Sequence, residues 1–388
     1  MHHQERTVEH SRPACGIHWA LLTALAWTAV GCRPAEPLTI DEAGLVTEVV
    51  ARSSHCAACT LDVSFLGTLG SSSDSVLLTS ETAISVSRDG AFLAAPTSRD
   101  GEGAIYDSLG GAARTYGRFG DGPGENGRIL GVLPWRGDTT LFVGFDRLTF
   151  LTGPEGHGRT ARLERPSPSH RTVALPEVNA VVRNYSYPPE RQFLVFDADG
   201  GALTQLGSQA QAGVRGDIYE ALGELGNAAA PHHFWSSPQR YQIRIDLWDA
   251  RSGAHVKRLQ DTAPWYTPYD SAALYQFMLD GNDSENPPPP FLRGLRESRD
   301  AVLWLLYNGP ARDWAPIRDT LPPLQRGVRR AAYDGIIDLR DPISGQSILT
   351  VWTNLPFARL INDTLLADRR QTEDGFWVYD IYKAVLRR

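Results

Sequence analysis

The sequence has little lysine, little cysteine and a single long apolar run. Its two lysines are Lys257 and Lys383, so arginine supplies nearly all of the basic charge. The net charge of -7 excludes the strongly basic footprint that is typical of nucleic-acid-binding chains. Four cysteines among 388 residues are too few for a disulfide-dense scaffold. The remaining composition, with 42% hydrophobic residues, is that of an ordinary globular chain.

The one long apolar run lies near the N-terminus and predicts a signal peptide. A weakly basic stretch leads into IHWALLTALAWTAVGC, which is too short and too early to be a permanent membrane span. Its end, Ala29 to Cys32, resembles a bacterial lipobox. We therefore expect residues 1–31 to be removed, Cys32 to be lipidated and residues 32–55 to form a flexible tether. Plain secretion, with an incidental cysteine, is the alternative.

That assignment predicts an exported, membrane-anchored chain that faces the periplasm or the cell surface. Arg33, directly after Cys32, favours the outer membrane. Cys56 and Cys59 are then the cysteines left to pair, and C-x-x-C in an oxidising compartment favours a local disulfide. A reduced pair and a redox or metal site are the alternatives. Haem attachment is disfavoured because Thr60, not histidine, follows Cys59.

Short alternating runs dominate beyond about residue 60, and they predict β-strands. One unit recurs: a strand, a turn that contains aspartate and ends in glycine, then another strand, as in FLVFDADGGALTQLG, IDLWDARSGAHVKRL and IDLRDPISGQSILTVW. We expect the turn aspartates to accept hydrogen bonds from backbone N–H groups, and these residues are Asp107, Asp197, Asp249 and Asp341. The spacing of roughly 40 to 50 residues is that of a four-stranded propeller blade.

The repeat predicts an all-β fold, a six-bladed β-propeller of four-stranded antiparallel blades over residues 56–388. Insertions at about 266–290 and 309–334 explain the long interval between Asp249 and Asp341. The last unit, FWVYDIYKAVLRR, lacks an outermost strand, whereas CTLDVSFLGTLG has no blade of its own. We therefore expect this N-terminal strand to complete the last blade and close the ring, which removes an exposed sheet edge.

The stretch TYGRFGDGPGENGRIL is rich in glycine, as phosphate-binding loops are. A phosphate cradle needs a helix N-terminus after the loop, but the residues that follow are not helical and Pro123 lacks an N–H group. We therefore interpret the stretch as a crossover between blades that turns near the central axis. Glu125 is positioned to accept hydrogen bonds from the free backbone N–H groups of this crossover.

This stretch and the strand after it resemble the bacterial six-bladed propeller lipoproteins, relatives of the NHL-repeat propellers. The matching positions are Gly117, Arg118, Gly120, Gly122, Pro123, Gly124 and Glu125, followed by Asp146, Arg147 and Leu148. Asn126 departs from the pattern, because the family usually has an aromatic residue there. The resemblance implies a propeller fold and export, and it says little about function.

Two sets of residues are candidates for binding chemistry. Oxygen ligands for a divalent ion such as calcium are available near predicted inner-strand ends, at Glu81, Glu177, Asn179 and Asp300. Helix caps and turn bonds are the alternative role of these four. His232, His233 and Trp235 are candidates for binding a ligand, because the two histidines precede a strand and are predicted to face the channel beside Trp235. The alternative is that one histidine is solvated and the other packs against Trp235.

The sequence contains no recognisable catalytic triad, nucleophile elbow or repeated metal-ligand set. We therefore expect a non-catalytic binding or scaffold propeller for a protein, peptide or glycan, without a cofactor and without nucleic acid. The membrane would be contacted only through the lipid anchor. The alternative is an extracytoplasmic metal-dependent hydrolase, lactonase or lyase with its site at the channel mouth.

Overall fold

Within the residues that the computed structural model describes, the chain consists of β-strands joined by turns and one short 3-10 helix. The described residues are 39–40, 46–49, 56–96, 101–153, 157–167, 169, 171–184, 193–206, 223–237, 243–260, 266, 287–288, 290–312 and 332–388. Three strands precede the repeating part of the fold: β1 (Thr39–Ile40), β2 (Val46–Val49) and β3 (Thr60–Leu69). Six four-stranded units, here called blades 1 to 6, account for the other described strands and for β3.

The first three blades are each formed by consecutive antiparallel strands. Blade 1 contains β4 (Ala83–Val86), β5 (Phe92–Ala95), β6 (Gly103–Tyr106) and β7 (Arg114–Tyr116). Blade 2 contains β8 (Ile129–Pro134), β9 (Thr139–Gly144), β10 (Arg147–Thr152) and β11 (His157–Arg162). Blade 3 contains β12 (Thr172–Leu175), β13 (Ala180–Asn184), β14 (Phe193–Asp197) and β15 (Ala202–Leu206), and its first turn is the 3-10 helix Pro176–Val178.

The last three blades repeat this order, and the predicted fold class is confirmed. Blade 4 contains β16 (Glu224–Asn227), β17 (His233–Ser237), β18 (Arg244–Asp249) and β19 (His255–Gln260). Blade 5 contains β20 (Phe291–Glu297), β21 (Leu303–Pro310), β22 (Tyr333–Arg340) and β23 (Ser347–Thr353). Blade 6 contains β24 (Arg359–Leu360), β25 (Leu365–Gln371), β26 (Trp377–Arg387) and β3.

The ring closes through the N-terminal strand, as the sequence predicts. β3 pairs antiparallel with β26 from Thr60 opposite Arg387 to Leu69 opposite Tyr379. Leu69 is fully buried and packs with Tyr379 in the core between blades 6 and 1. The first and last parts of the described propeller are therefore joined within one sheet. Just before β3, Cys56 and Cys59 are joined by a disulfide, with their Cα atoms 5.2 Å apart.

The core consists of six apolar clusters, each between two neighbouring blades. Alternation along the strands produces this arrangement, because successive side chains of a strand point to opposite faces of its sheet. In β5, Phe92 and Ala94 pack towards blade 6, whereas Leu93 and Ala95 pack towards blade 2. Each central strand therefore contributes to two cores, and this explains its continuous apolar sequence.

The turns between third and fourth strands have the chemistry that the sequence predicts in three blades. Asp249 Oδ1 accepts hydrogen bonds from the N–H groups of Arg251 and Ser252 at 2.7 and 3.2 Å. Asp197 and Asp341 accept equivalent turn bonds in blades 3 and 5. Asp107 differs, because its carboxylate contacts the Arg114 guanidinium at 2.8 Å in an exposed pair.

The glycine-rich stretch is a crossover from β7 to β8, but it does not lie near the axis. Its backbone packs on the third and fourth strands of blade 2, where Thr149 and Thr160 donate to the Glu125 carbonyl oxygen. Glu125 Oε2 accepts from Gly122 N–H at 2.7 Å. A Cβ atom at Gly120 would lie only 1.9 Å from that oxygen, so any other residue there would displace the Glu125 carboxylate from Gly122.

Arg147 fastens the crossover to blade 2. Its buried guanidinium donates to the Gly120 carbonyl oxygen and to the Asp121 carboxylate, both at 2.8 Å. Asn126, at the position where the resemblance leads one to expect an aromatic residue, is buried and donates to the Gly101 carbonyl oxygen at 2.9 Å. A polar anchor to blade 1 therefore occupies that position.

Three parts of the predicted domain organisation, the signal peptide, the tether and the insertions, lie mostly outside the described residues. The signal peptide, residues 1–31, is outside them altogether. Within residues 32–55, the backbone of β2 pairs in parallel with β19 of blade 4. Most of the two insertions is also outside them; the second connects β21 to β22, whose paired ends extend to Pro310 and Tyr333.

Candidate functional site

The inner strands of the six blades surround a central channel with a volume of about 1010 Å³. These strands, which come first in each blade, are β4, β8, β12, β16, β20 and β24. Because the blades are related by rotation about the axis, their inner strands run in the same direction. The channel therefore has a first mouth where the inner strands begin and a second mouth where they end.

Arginine is the distinctive residue of the channel wall. Six arginines line it, at positions 88, 171, 293, 296, 299 and 359, against two acidic residues, Glu224 and Asp363. The described lining therefore carries a cationic excess, although the chain as a whole has a net charge of -7. Both acidic residues are engaged by arginines of the same wall, as the two mouths show.

The first mouth holds a buried ion pair and two further guanidinium groups. Arg171 Nη2 contacts Glu224 Oε1 at 2.6 Å, and both side chains are largely buried. The Arg293 guanidinium lies 4.4 Å from the centre of the Phe291 ring, a cation–π contact. Arg359 is half-buried at the start of β24 and has no carboxylate partner within the described ranges.

The second mouth is more exposed, and the channel wall there carries Arg88, Arg296 and Arg299 against one carboxylate, Asp363. Arg296 Nε donates to Asp363 Oδ1 at 2.6 Å, and the Arg299 backbone N–H donates to Asp363 Oδ2 at 3.4 Å. The side chains of Arg299 and Arg88 are exposed, and neither forms an ion pair with another described residue. An anion at this mouth would therefore meet guanidinium groups whose charge is not already compensated.

The four oxygen-bearing candidates do not share one mouth. Glu81 precedes β4, on the side of the first mouth, and its carboxylate contacts Arg369 at 3.3 Å. Glu177 and Asn179 belong to the turn after β12, and Asp300 lies in the turn after β20, on the side of the second mouth. All three acidic members are exposed, and none lines the channel. The structure does not bring this set together.

His232 and His233 lie in blade 4, displaced from the channel wall. His233 begins β17 and pairs directly with Asp249, the last residue of β18. His233 Nε2 is 3.9 Å from Asp249 Oδ2, and the two imidazole rings are 4.3 Å apart between centroids. Among the described residues, these three form the one group of His, Cys, Asp and Glu whose ligand atoms lie within 4.8 Å of one another.

Local burial and charge adjust the protonation of this group. Burial, together with the charge of His232, lowers the pKa of His233, and the carboxylates of Asp249 and Glu297 act in the opposite direction. Burial acts to raise the pKa of Asp249, but the N–H groups of Arg251 and Ser252 hold it below its ordinary value. At neutral pH the group therefore offers neutral His233 and a carboxylate.

Trp235, the third ligand candidate of this region, is a core residue. It is 1% exposed and packs between blades 4 and 5. Its indole Nε1 donates to Glu297 Oε2 at 2.8 Å, which satisfies the one polar atom of the ring. The structure thus places Trp235 near the histidines in the chain but assigns its side chain to packing.

The arginines of the channel were not among the residues that the sequence analysis selected. Five of the six lie at or near the ends of inner strands, in the sequences SRD, RTVAL, RESRD and ARLI, and Arg293 lies within β20. Inner strands such as β12 and β24 are only four and two residues long, so their periodicity is weak. An excess of arginine at these ends, in an acidic chain, is the signal that would have identified them.

Comparison with known proteins leaves the family of this chain open. No family model matches the chain, and no curated protein matches it. The β-propeller domain of Myceliophteria thermophila Cps50 (Swd1) is similar over 83% of this chain and 99% of its own, with 13% identity and a TM-score of 0.42. The resemblance to the bacterial propeller lipoproteins therefore stays a prediction.

Two further solved structures are similar to the same extent. The Neurospora crassa Pan2 WD40 domain shares 11% identity over 83% of this chain and 95% of its own, with a TM-score of 0.41. Kuenenia stuttgartiensis hydrazine synthase shares 11% identity over 80% of this chain and 76% of its own, with a TM-score of 0.44. Likenesses at these TM-scores assign neither a family nor a role to this chain. No helix among the described residues is long and apolar enough to cross a membrane.

Proposed function

We propose that this chain is an exported, membrane-tethered β-propeller that acts as a non-catalytic binding module for an acidic ligand. The ligand is an acidic segment of a protein, a peptide or a glycan, and it binds at a mouth of the central channel. The observation that carries the proposal is the excess of arginine over carboxylate in the channel wall. The lipobox-like end of the N-terminal apolar run supports the tether at Cys32.

Electrostatics favours an anionic ligand at this site in particular. Most of the surface of an acidic chain repels anions, whereas a cationic channel attracts them and thereby directs them to one place. A concave wall also increases the field of its charges, because less water screens them. In the channel wall, three guanidinium groups have no carboxylate partner among the described residues: Arg88 and Arg299 at the second mouth and Arg359 at the first.

Guanidinium chemistry further restricts the classes of anionic ligand that suit the channel. The planar donor pairs of arginine match a carboxylate in a bidentate arrangement, and the group stays charged at any physiological pH. The inner strands also present their unpaired edges to the channel, so backbone N–H and C=O groups are available to a polar chain. An extended ligand that carries several carboxylates uses both features.

Direct binding of an acidic probe tests this proposal. We expect a fluorescein-labelled hexaglutamate peptide to bind the purified chain in fluorescence anisotropy, whereas a labelled hexalysine peptide does not bind. Replacement of Arg88, Arg299 and Arg359 together by Gln removes three charge-assisted contacts and is expected to weaken binding at least about tenfold. Binding is also expected to weaken as salt is added, since exposed charges are screened over about 8 Å at 0.15 M ionic strength.

The matched control removes the same charge from the outer surface. Arg114, Arg159 and Arg387 are at least half-exposed and pair with Asp107, Asp199 and Asp62. Their triple replacement by Gln changes the net charge equally but leaves the channel intact, so hexaglutamate binding is expected to stay close to that of the original chain. Equal loss in both triple variants, or no binding by the original chain, would show that the channel is not the ligand site. Oligogalacturonate, used in parallel, distinguishes a glycan from a peptide.

The alternative, a metal-dependent hydrolase, lactonase or lyase with its site at the channel mouth, receives less support. It needs several oxygen ligands at one mouth, and Glu81 lies at the opposite end of the inner strands from Glu177, Asn179 and Asp300. The channel wall also presents cationic groups, which repel a metal ion.

A further inference from the structure

From the geometry of blade 4 we infer a second site, distinct from the channel: a divalent transition-metal site formed by His232, His233 and Asp249. The inference does not depend on the proposed function, because these residues are separate from the arginines of the channel wall. Two imidazoles and one carboxylate are a ligand set that suits zinc and similar borderline ions. A tetrahedral ion held by three protein ligands keeps one position open for water or another ligand.

The backbone places His233 beside Asp249, and the His232 ring, just before β17, lies 4.3 Å from the His233 ring. His233 is directly opposite Asp249 in the antiparallel pair β17–β18, so the two side chains share a face of the sheet. The Ala250 N–H donates to the His232 carbonyl oxygen at 2.9 Å, and the His233 N–H donates to the Ala230 carbonyl oxygen at 3.0 Å. These bonds fix the segment before β17 against the turn after β18.

The two carboxylate oxygens of Asp249 have different surroundings. Oδ1 accepts the turn bonds from Arg251 and Ser252, whereas Oδ2 faces His233. The 3.9 Å separation between Oδ2 and His233 Nε2 is too long for a hydrogen bond. Two ligands that each lie about 2.0–2.2 Å from one zinc ion are separated by roughly this distance or somewhat less. Only small side-chain rotations are therefore needed to bind an ion.

Comparison with the other blades shows that the turn itself does not require histidine. Blades 3 and 5 have the same aspartate turn, at Asp197 and Asp341. In blade 3 the residue opposite the aspartate is Ala180, and in blade 5 the pairing of β21 with β22 brings Val302 to the equivalent position. Blade 4 alone of these three adds imidazoles to a turn that forms equally well without them.

Calorimetric titration of the metal-free chain with zinc chloride tests this site. After treatment with a chelator, the full chain is expected to bind one zinc ion that is lost in the double variant His232→Ala/His233→Ala. Asp249→Asn retains an amide oxygen for the turn but removes the carboxylate, so we expect zinc affinity to fall at least about tenfold. Calcium chloride is expected to give no comparable binding, because calcium prefers oxygen ligands.

Asp341→Asn is the matched control, because it makes the same change in a turn without histidines. It is expected to leave zinc affinity unchanged, and thermal unfolding of all variants without metal shows whether each one folds. X-ray absorption of the zinc complex should show nitrogen and oxygen ligands at about 2.0–2.2 Å. The histidines His2, His3 and His10 lie within the predicted signal peptide and are the same in every variant, so they do not affect the comparison. Equal zinc binding by the original chain and the double histidine variant, or no zinc binding by either, would overturn the inference.

Discussion

Truncation of a single leucine in the closing strand tests whether β3 completes blade 6. Leu69 has no exposed surface and packs in the core between blades 6 and 1. Replacement by alanine removes buried apolar atoms and leaves a cavity, so the free energy of unfolding is expected to fall by about 2–5 kcal/mol. Urea denaturation followed by tryptophan fluorescence measures the loss as a lower midpoint at an unchanged slope.

The same strand supplies the control for this prediction. Leu66 is 44% exposed, so Leu66→Ala is expected to change the free energy of unfolding by about 1 kcal/mol or less. The side chains are chemically identical and lie three positions apart in the chain, so only their packing differs. Equal effects of the two replacements would mean that β3 is not packed as the last strand of the ring.

Three further predictions concern the backbone, the ionic core and the tether. Ala301 adopts a φ of 53°, a strained value for a residue with a Cβ atom, so Ala301→Gly is expected to stabilise the chain by about 1 kcal/mol in urea denaturation; a lower midpoint would contradict this. Burial acts to raise the pKa of Asp246, but His255, Arg244 and Arg258 together hold it below 3.8. The ionised Asp246 carboxylate therefore stabilises the fold above pH 3.8, and this stabilisation is lost as the pH falls through its lower native pKa. Asp246→Asn should flatten the decline of the unfolding free energy at acid pH. An unchanged decline would refute the ion cluster. Cys32→Ser is expected to abolish incorporation of labelled palmitate in bacterial cells and to release the chain from the membrane fraction; persistent labelling would show that Cys32 is not the acceptor.

The fold could be predicted from the sequence because the propeller repeats its strongest local signals. Central strands such as β14 are continuous apolar runs, and the turn aspartates Asp197, Asp249 and Asp341 mark the boundary between third and fourth strands. The missing outer strand of the last unit predicted that β3 closes the ring. Each of these signals lies within one short segment, so no knowledge of distant contacts is needed to detect it.

The candidate site was less predictable, because it is assembled from residues that are far apart in the chain. Arg88, Arg299 and Arg359 belong to three blades, and nothing in their local sequences indicates that they line one channel. The His232, His233 and Asp249 group depends on the register of β17 against β18, which the sequence does not state. The sequence predicts that the crossover loop lies near the axis, whereas the structure shows that it packs on blade 2. The difference arises because its bonds to Thr149 and Thr160 leave no signal in the local sequence.

The arginine-lined channel as the ligand site is tested most directly by a crystal structure of the chain with hexaglutamate. The expected result is peptide density at a mouth of the channel, with carboxylates in contact with the guanidinium groups of Arg359 or of Arg88 and Arg299. Peptide bound on the outer strands of the blades, with the channel wall free of it, would contradict the proposal.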